Sequence, residues 1–332
     1  MRAAVLVACA ACSFHHGSGP AGAAAGDASQ LDGVVFTDGP PPDWWNPAWM
    51  YRIQLTVHAT TAVATGFQVG FAYDLDAAPC TGSRDGARIV WQQAELARVV
   101  DEVGPPTWIW FRLGAPIAAG AASSEYWLYC GNASPPPAPA DPATVFDLYD
   151  DFAGSSLAPQ WSAAGTVTVG GGVATIQNNG TFHSTATFAP NTATDFSIAP
   201  QGTAPGMYYW GGFQNGTATA SPWVLWNTRN ENGIHPEVVD SQGSTATGGL
   251  VAYDTAFRLY GVENYGASSM YRIADASVAT LAHPHGIAAA LSVRFDNYNS
   301  GASTVQVGMV RVRAAVDPPP TVTAGAVETY TR

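Results

Sequence analysis

Two short stretches gather the side chains best suited to holding a ligand: Met207-Tyr208-Tyr209-Trp210-Gly211-Gly212-Phe213-Gln214 and Pro222-Trp223-Val224-Leu225-Trp226-Asn227-Thr228-Arg229. Sugar rings stack on flat aromatic faces, while Asn, Gln, Arg or His side chains hydrogen-bond the hydroxyls. If both stretches are strands, successive side chains alternate between faces. Tyr208, Trp210 and Gln214 then share one face, with Tyr209 and Phe213 on the other; Trp223, Asn227 and Arg229 separate from Trp226 and Thr228. One face of each strand must be core. With His235 added, the candidate ligand-binding residues are Tyr208, Trp210, Trp223, Asn227, Arg229 and His235. The bland alternative is that the second face is covered as well, by another domain.

Cleavage of a glycosidic bond needs two carboxylates, one to donate a proton and one to attack or to activate water. No cluster of that kind stands out. Glu237 and Asp240 are three apart and diverge on an extended chain, and the adjacent Asp101 and Glu102 diverge too. Beyond the N-terminal segment, from Ser13 onward, no GxSxG elbow, HExxH helix or CxxC pair occurs. His283-Pro284-His285 reads as a loop, and no metal ligands or catalytic residues are assigned. No cofactor is expected, except calcium on Asp or Asn loops such as Asp296-Asn297-Tyr298-Asn299 or near Asp275, although the spacing matches no EF-hand.

The elements that position these residues read as β-strands. From Tyr51 the chain runs in short alternating segments: Ile53-Gln54-Leu55-Thr56-Val57, Phe67-Gln68-Val69-Gly70-Phe71, Arg88-Ile89-Val90-Trp91 and Trp108-Ile109-Trp110-Phe111-Arg112-Leu113. Only Gln92 to Val103 is expected to be briefly helical, with Glu95 and Arg98 as weak support. A first β-sandwich spans 44–133, and a stiff proline-rich linker follows at 134–143. A second sandwich spans 144–328 and is too large for an immunoglobulin fold, so a jelly roll fits better. In it a hairpin joins Thr166-Val167-Thr168-Val169 to Val173-Ala174-Thr175-Ile176-Gln177, and Asn178-Asn179-Gly180 is expected to turn into a further strand. The late strands are Ala290–Phe295 and Val305–Arg313. The fold class expected is all-β, with two antiparallel sandwiches.

Composition bounds the partner. Among 332 residues all 13 basic side chains are arginine, 25 are acidic, and the formal net charge is −12. Without lysine there is no P-loop lysine and no Schiff base, and an acidic chain is a poor partner for phosphate backbones. Nucleic acid is therefore excluded as a partner. Only 11% of residues are charged, which argues against coiled coils and charge-driven disorder.

The N-terminus, residues 1–12, reads as a short secretory signal, and Leu6-Val7-Ala8-Cys9 matches a lipoprotein box. Either Cys9 or Cys12 is the expected lipid anchor, with 13–43 a flexible tether. The chain is then exported, at the bacterial outer membrane or cell surface as a lipoprotein and otherwise secreted, and meets membrane only through the lipid. In that compartment Cys80 and Cys130 most simply form a disulfide.

Trp45-Asn46-Pro47-Ala48-Trp49-Met50-Tyr51-Arg52 resembles the opening of a bacterial and archaeal surface domain of unknown function; Asp85-Gly86-Ala87-Arg88-Ile89 and Tyr129-Cys130-Gly131-Asn132 resemble its later segments. Cys130 departs from that family's usual Tyr-Tyr-Gly-Asn. Phe146-Asp147-Leu148-Tyr149-Asp150-Asp151-Phe152 and Val310-Arg311-Val312-Arg313 resemble the start and end of a concanavalin-like, or laminin-G-like, sandwich. The resemblance implies architecture and little chemistry, since that fold hosts lectins, adhesins and glycosidases. The function expected is non-enzymatic: a surface lipoprotein binding a glycan or another surface ligand, such as an extracellular protein. Its competitors are a structural or adhesive protein without a small-ligand site, and a glycoside hydrolase or lyase.

Overall fold

The computed structural model describes residues 35–36, 43–81, 84–101, 107–139, 141–201, 209–216, 220–228, 233–252, 255–274, 276–298 and 304–330, with backbone alone at 35, 36 and 210. Those residues form an all-β molecule of two antiparallel sandwiches.

The first sandwich packs a sheet built on Tyr51–Ala59, Ala121–Cys130, Arg88–Trp91 and Ala94–Leu96 against Gln68–Ala72, Trp108–Arg112 and Arg98–Asp101. Alternation dictates the packing: Ile53, Leu55 and Val57 are buried while Gln54 and His58 are exposed. Opposite them lie Val69, Phe71, Ile109 and Phe111. Cys80 and Cys130 are disulfide-bonded within this core, with Cα atoms 5.3 Å apart.

Several expectations are corrected here. Of the expected helix Gln92–Val103, the described residues 92–101 are not helical: Gln92 and Gln93 take φ of 47° and 65°, which turns Arg88–Trp91 tightly into Ala94–Leu96. Glu95 pairs across that hairpin with Arg88, at 2.7 Å, rather than supporting a helix with Arg98. The last strand, Thr321–Tyr330, was expected within the second sandwich to residue 328, but it pairs with Tyr51–Ala59 in the first. Val35–Phe36, inside the expected tether, pairs in parallel with Thr329 and Tyr330. The proline linker lies on the first sandwich, where Arg88 donates to the Pro136 carbonyl and the Arg98 amide to that of Pro139.

In the second sandwich, one layer runs in the order Thr245–Thr247, His235–Val239, Trp223–Asn227, Tyr209–Gln214, Ser292–Asn297, and then the end of Val173–Ser184. The start of Val173–Ser184 belongs to the other layer, beside Thr304–Ala314, Thr192–Gln201, Arg258–Asn264, Ser268–Ile273 and Ala276–Ala282. The expected turn at Asn178-Asn179-Gly180 is instead a bulge within one continuous strand. Asn178 and Asn179 take φ of 43° and 60°, and a Cβ on Gly180 would lie 2.5 Å from the Thr166 carbonyl oxygen. The bulge bends the strand enough to serve both layers. Between the layers Phe196 meets Phe295 edge-on at 5.1 Å, and Trp226 meets Tyr260 and Tyr271 at 5.2 and 5.5 Å.

The sandwiches are joined by charge and aromatic contact. Arg311 lies 4.5 Å above the Trp110 ring and pairs with Asp101 and Asp195. Arg313 bridges Asp195 and Glu263.

Candidate functional site

Strand register brings the candidate residues onto the face of the second sandwich that points away from its core. Across the sheet, His235 pairs with Asn227, Asn227 with Trp210, Trp210 with Asp296 and Asp296 with Thr181. The next row runs Glu237, Leu225, Gly212, Arg294 and His183, and the row beyond holds Val239, Trp223, Gln214 and Ser292. The alternate positions, Val238, Trp226, Val224, Phe213, Phe295 and Phe182, fill the core. Gly212 is required where it stands: its φ is 146°, and a Cβ would lie 2.6 Å from the Val224 carbonyl oxygen.

The hub is Glu237, a fully buried carboxylate. Asn227 Nδ2 donates to its Oε2 at 2.6 Å, Trp223 Nε1 lies 3.4 Å from Oε1, and His235 Nε2 lies 3.5 Å from Oε2. Trp223 is half-buried, whereas Trp226 is wholly buried and donates its Nε1–H to the Gly261 carbonyl. Three expected residues, Trp223, Asn227 and His235, are thus brought together, and Trp210 occupies the register position between Asn227 and Asp296. Tyr208 and Arg229 lie outside the described residues, as do Cys9, Cys12 and Asp275.

Three strands away from the hub, Arg294 Nε meets both carboxylate oxygens of Asp296 at 2.9 and 2.7 Å, both residues being buried. Burial, together with the neighbouring Arg294, lowers the His183 pKa and keeps the ring neutral at pH 7, able both to donate and to accept. His183 Nδ1, Thr181 Oγ1 and both amide atoms of the buried Gln214 find no hydrogen-bond partner among the described residues. Buried polar atoms normally have a partner, so this face has bonding capacity for a ligand or ordered water.

Sequence reasoning missed Glu237 and the Arg294–Asp296 pair. An arginine and an aspartate at i and i+2, flanking Phe295, were a legible signal for a polar face opposite a core residue. The two carboxylates of the face stand three strands apart, about 14 Å between backbones at ~4.8 Å per strand. Glycoside hydrolases hold their carboxyl pair roughly 5–9.5 Å apart.

The other candidates serve structure. Burial alone would raise the Asp240 pKa, but hydrogen bonds from His285 and from the Ser244 and Gln242 amides hold it at about 2. Ser244 Oγ and Asp240 Oδ2 both contact the same His285 nitrogen, Nδ1, so the three cannot act as a proton relay. His283 is buried between the Gly266 carbonyl and Ser269. Among the described residues no three His, Cys, Asp or Glu side chains are grouped to hold a metal ion.

Residues 100–164 match a family described as a domain of unknown function (DUF2341). The match spans the end of the first sandwich, the linker and the start of the second. No curated protein sequence matches the chain. Solved structures similar to it include one reported for endo-acting O-glycanases of human gut microbiota (13% identity, TM-score 0.43, 52% of this chain and 100% of that one). A Bacillus licheniformis β-glucanase matches at 11% identity and TM-score 0.42, over 50% of this chain and 97% of its own. An immunostimulatory antigen and pseudo β-1,3-glucanase of Mycobacterium tuberculosis matches at 13% and 0.41, over 52% and 99%.

Proposed function

We propose that this protein binds a glycan, without cleaving it, on the Glu237 face of its second sandwich, and that it does so as an exported, lipid-anchored surface protein. The observation that carries the reading is the convergence of Trp223, Asn227 and His235 on one buried carboxylate, near the Gln214 amide, which has no hydrogen-bond partner among the described residues. A half-buried indole offers a stacking plane, and the buried Glu237, with Asn227 and His235 around it, holds the polar edge of that indole in place. The wide separation of Glu237 and Asp296 favours holding a sugar over hydrolysing it.

A glycan-array screen of the full chain, with turnover followed on every hit, tests this. Binding without product is expected. Silence on every glycan would favour a structural role, and cleavage would establish an enzyme.

A further inference from the structure

Gln68–Ala72 is an edge strand: it pairs with Trp108–Arg112 on one side and, among the described residues, with no strand on the other. Just beyond its ends, the Leu113 amide donates to the Phe67 carbonyl and the Tyr73 amide to that of Thr107. Bonding alternates along an antiparallel pair. The backbone groups of Val69 and Phe71 therefore turn toward Trp108–Arg112, and those of Gln68, Gly70 and Ala72 turn to the free edge. There they meet no partner among the described residues.

A cavity of 430 Å³ between the sandwiches follows this edge, with every residue from Phe67 to Ala72 in its lining. Both faces of a strand border one space only where that space lies at the strand's edge. The backbone there is accessible. Gly70 is half-buried and has no side chain, and the Trp110 ring covers its outer face, 2.7 Å from where a Cβ would stand. The surface Gly70 leaves open is thus its main chain, and Ala72 beside it is exposed.

Proteins ordinarily blunt a free edge with charge, proline or a bulge. The far edge of the same sheet, Arg98–Asp101, carries a charge at each end, whereas Gln68-Val69-Gly70-Phe71-Ala72 has none of these devices. N–H and C=O groups repeating about 7 Å apart are matched in register by another extended backbone. The charges that border the space are already paired: Arg272, Arg311 and Arg313 meet Asp101, Asp195 and Glu263. A charged side chain entering would have to break one of these pairs, at high cost. Leu259, Val316, Pro320 and Val322 supply apolar lining instead.

We infer that the free edge of Gln68–Ala72 is a docking site for an extended, uncharged peptide segment of a partner protein, added to the sheet through the backbone of Gly70 and Ala72. It uses nothing of the Glu237 face and stands independently of the glycan binding proposed there.

The test is hydrogen exchange of the full chain, read at the Gly70 and Ala72 amides, with acetyl-Thr-Val-Thr-Val-Thr-Val-amide as the probe. Both amides should exchange freely in the protein alone. Peptide should slow them saturably, at least tenfold, and leave Trp223–Asn227 unchanged. Methylating the peptide nitrogens at every threonine, or at every valine, removes the donors of one edge; one of these two peptides should fail and the other should bind. A peptide with glutamate in place of threonine should bind at least tenfold more weakly. Ala72→Pro removes an N–H that no strand uses, a substitution that edge strands tolerate, and should weaken the peptide at least tenfold. Should that variant not fold, the methylated pair decides alone.

The inference is overturned if the peptide slows neither amide, if both methylated peptides bind equally, or if the glutamate peptide binds as well. Full binding to folded Ala72→Pro also overturns it. Protection without peptide would assign the edge to a second copy where it grows with protein concentration, and to this chain itself where it does not; either result overturns the inference.

Discussion

Asn227 Nδ2 donates to Glu237 Oε2 at 2.6 Å along the diagonal between two neighbouring strands, since the direct partner of Asn227 is His235 and that of Glu237 is Leu225. Diagonal neighbours on one sheet face lie within reach of long side chains. The bond holds a fully buried carboxylate in place on the side of the sheet opposite the core, among polar side chains that are themselves buried.

Removing that donor has a defined cost. Asn227→Ala takes the 2.6 Å hydrogen bond from Glu237, and a bond to a charged group is worth about 1.5–3 kcal/mol. Urea unfolding of the variant should show a loss of that size. Asn227→Asp should be worse, because it sets a second carboxylate against the first.

The two tryptophans of one strand should behave oppositely. Trp226→Ala removes a wholly buried indole and should cost about 3–5 kcal/mol of stability. Trp223→Ala should cost much less stability and remove glycan affinity. Thermal melts and array binding of the pair separate these outcomes; equal melting losses would contradict the assignment of faces.

Acid should weaken the charge cluster on the layer of the second sandwich that faces the first. Burial would raise the Asp195 pKa, but Arg313 and Arg311 hold it at about 2, below the ordinary 3.8. Glu263 is lowered for the same reason: Arg313, Tyr265 and Arg272 outweigh its burial. As pH falls, the unfolded chain takes up protons first. The stability contributed by Asp195 is therefore complete above about pH 4 and lost as pH falls through 2, on the order of 2 kcal/mol. Asp240 loses its contribution over the same range. Unfolding measured from pH 6 downward should show this decline, and Arg313→Met should flatten part of it.

The last strand should prove essential to the first sandwich. Deleting residues 320–332 uncovers the edge of Tyr51–Ala59, which pairs with Thr321–Tyr330. Hydrogen exchange should accelerate in Tyr51–Ala59 and leave Trp223–Asn227 protected. Loss of protection in both would show that the second sandwich also depends on this strand.

The pattern of residues carried the alternation: Trp223 and Trp226 fell on opposite faces because a strand permits nothing else. It did not carry the register that sets Asn227 beside Glu237, since pairing between strands depends on contacts between residues separated in sequence. Asn178-Asn179-Gly180 has the residues of a hairpin turn and forms a bulge, because both demand a positive φ, here 43° and 60° at the two asparagines. Most of Thr321–Tyr330 falls inside the span 144–328 expected for the second sandwich, yet it pairs with Tyr51–Ala59 of the first, a partner about 270 residues away. The arginines of Val310-Arg311-Val312-Arg313 stood out as a motif, but their stacking on Trp110 belongs to the meeting of two domains and has no local signature.

The most direct measurement is calorimetric titration of the strongest array ligand into the wild-type chain and into Glu237→Gln. The substitution keeps the shape of the hub and removes its charge. At least a tenfold loss of affinity is predicted, with an unfolding transition that confirms an intact fold. Unchanged affinity in a folded Glu237→Gln protein would contradict the assignment of this face as the glycan site.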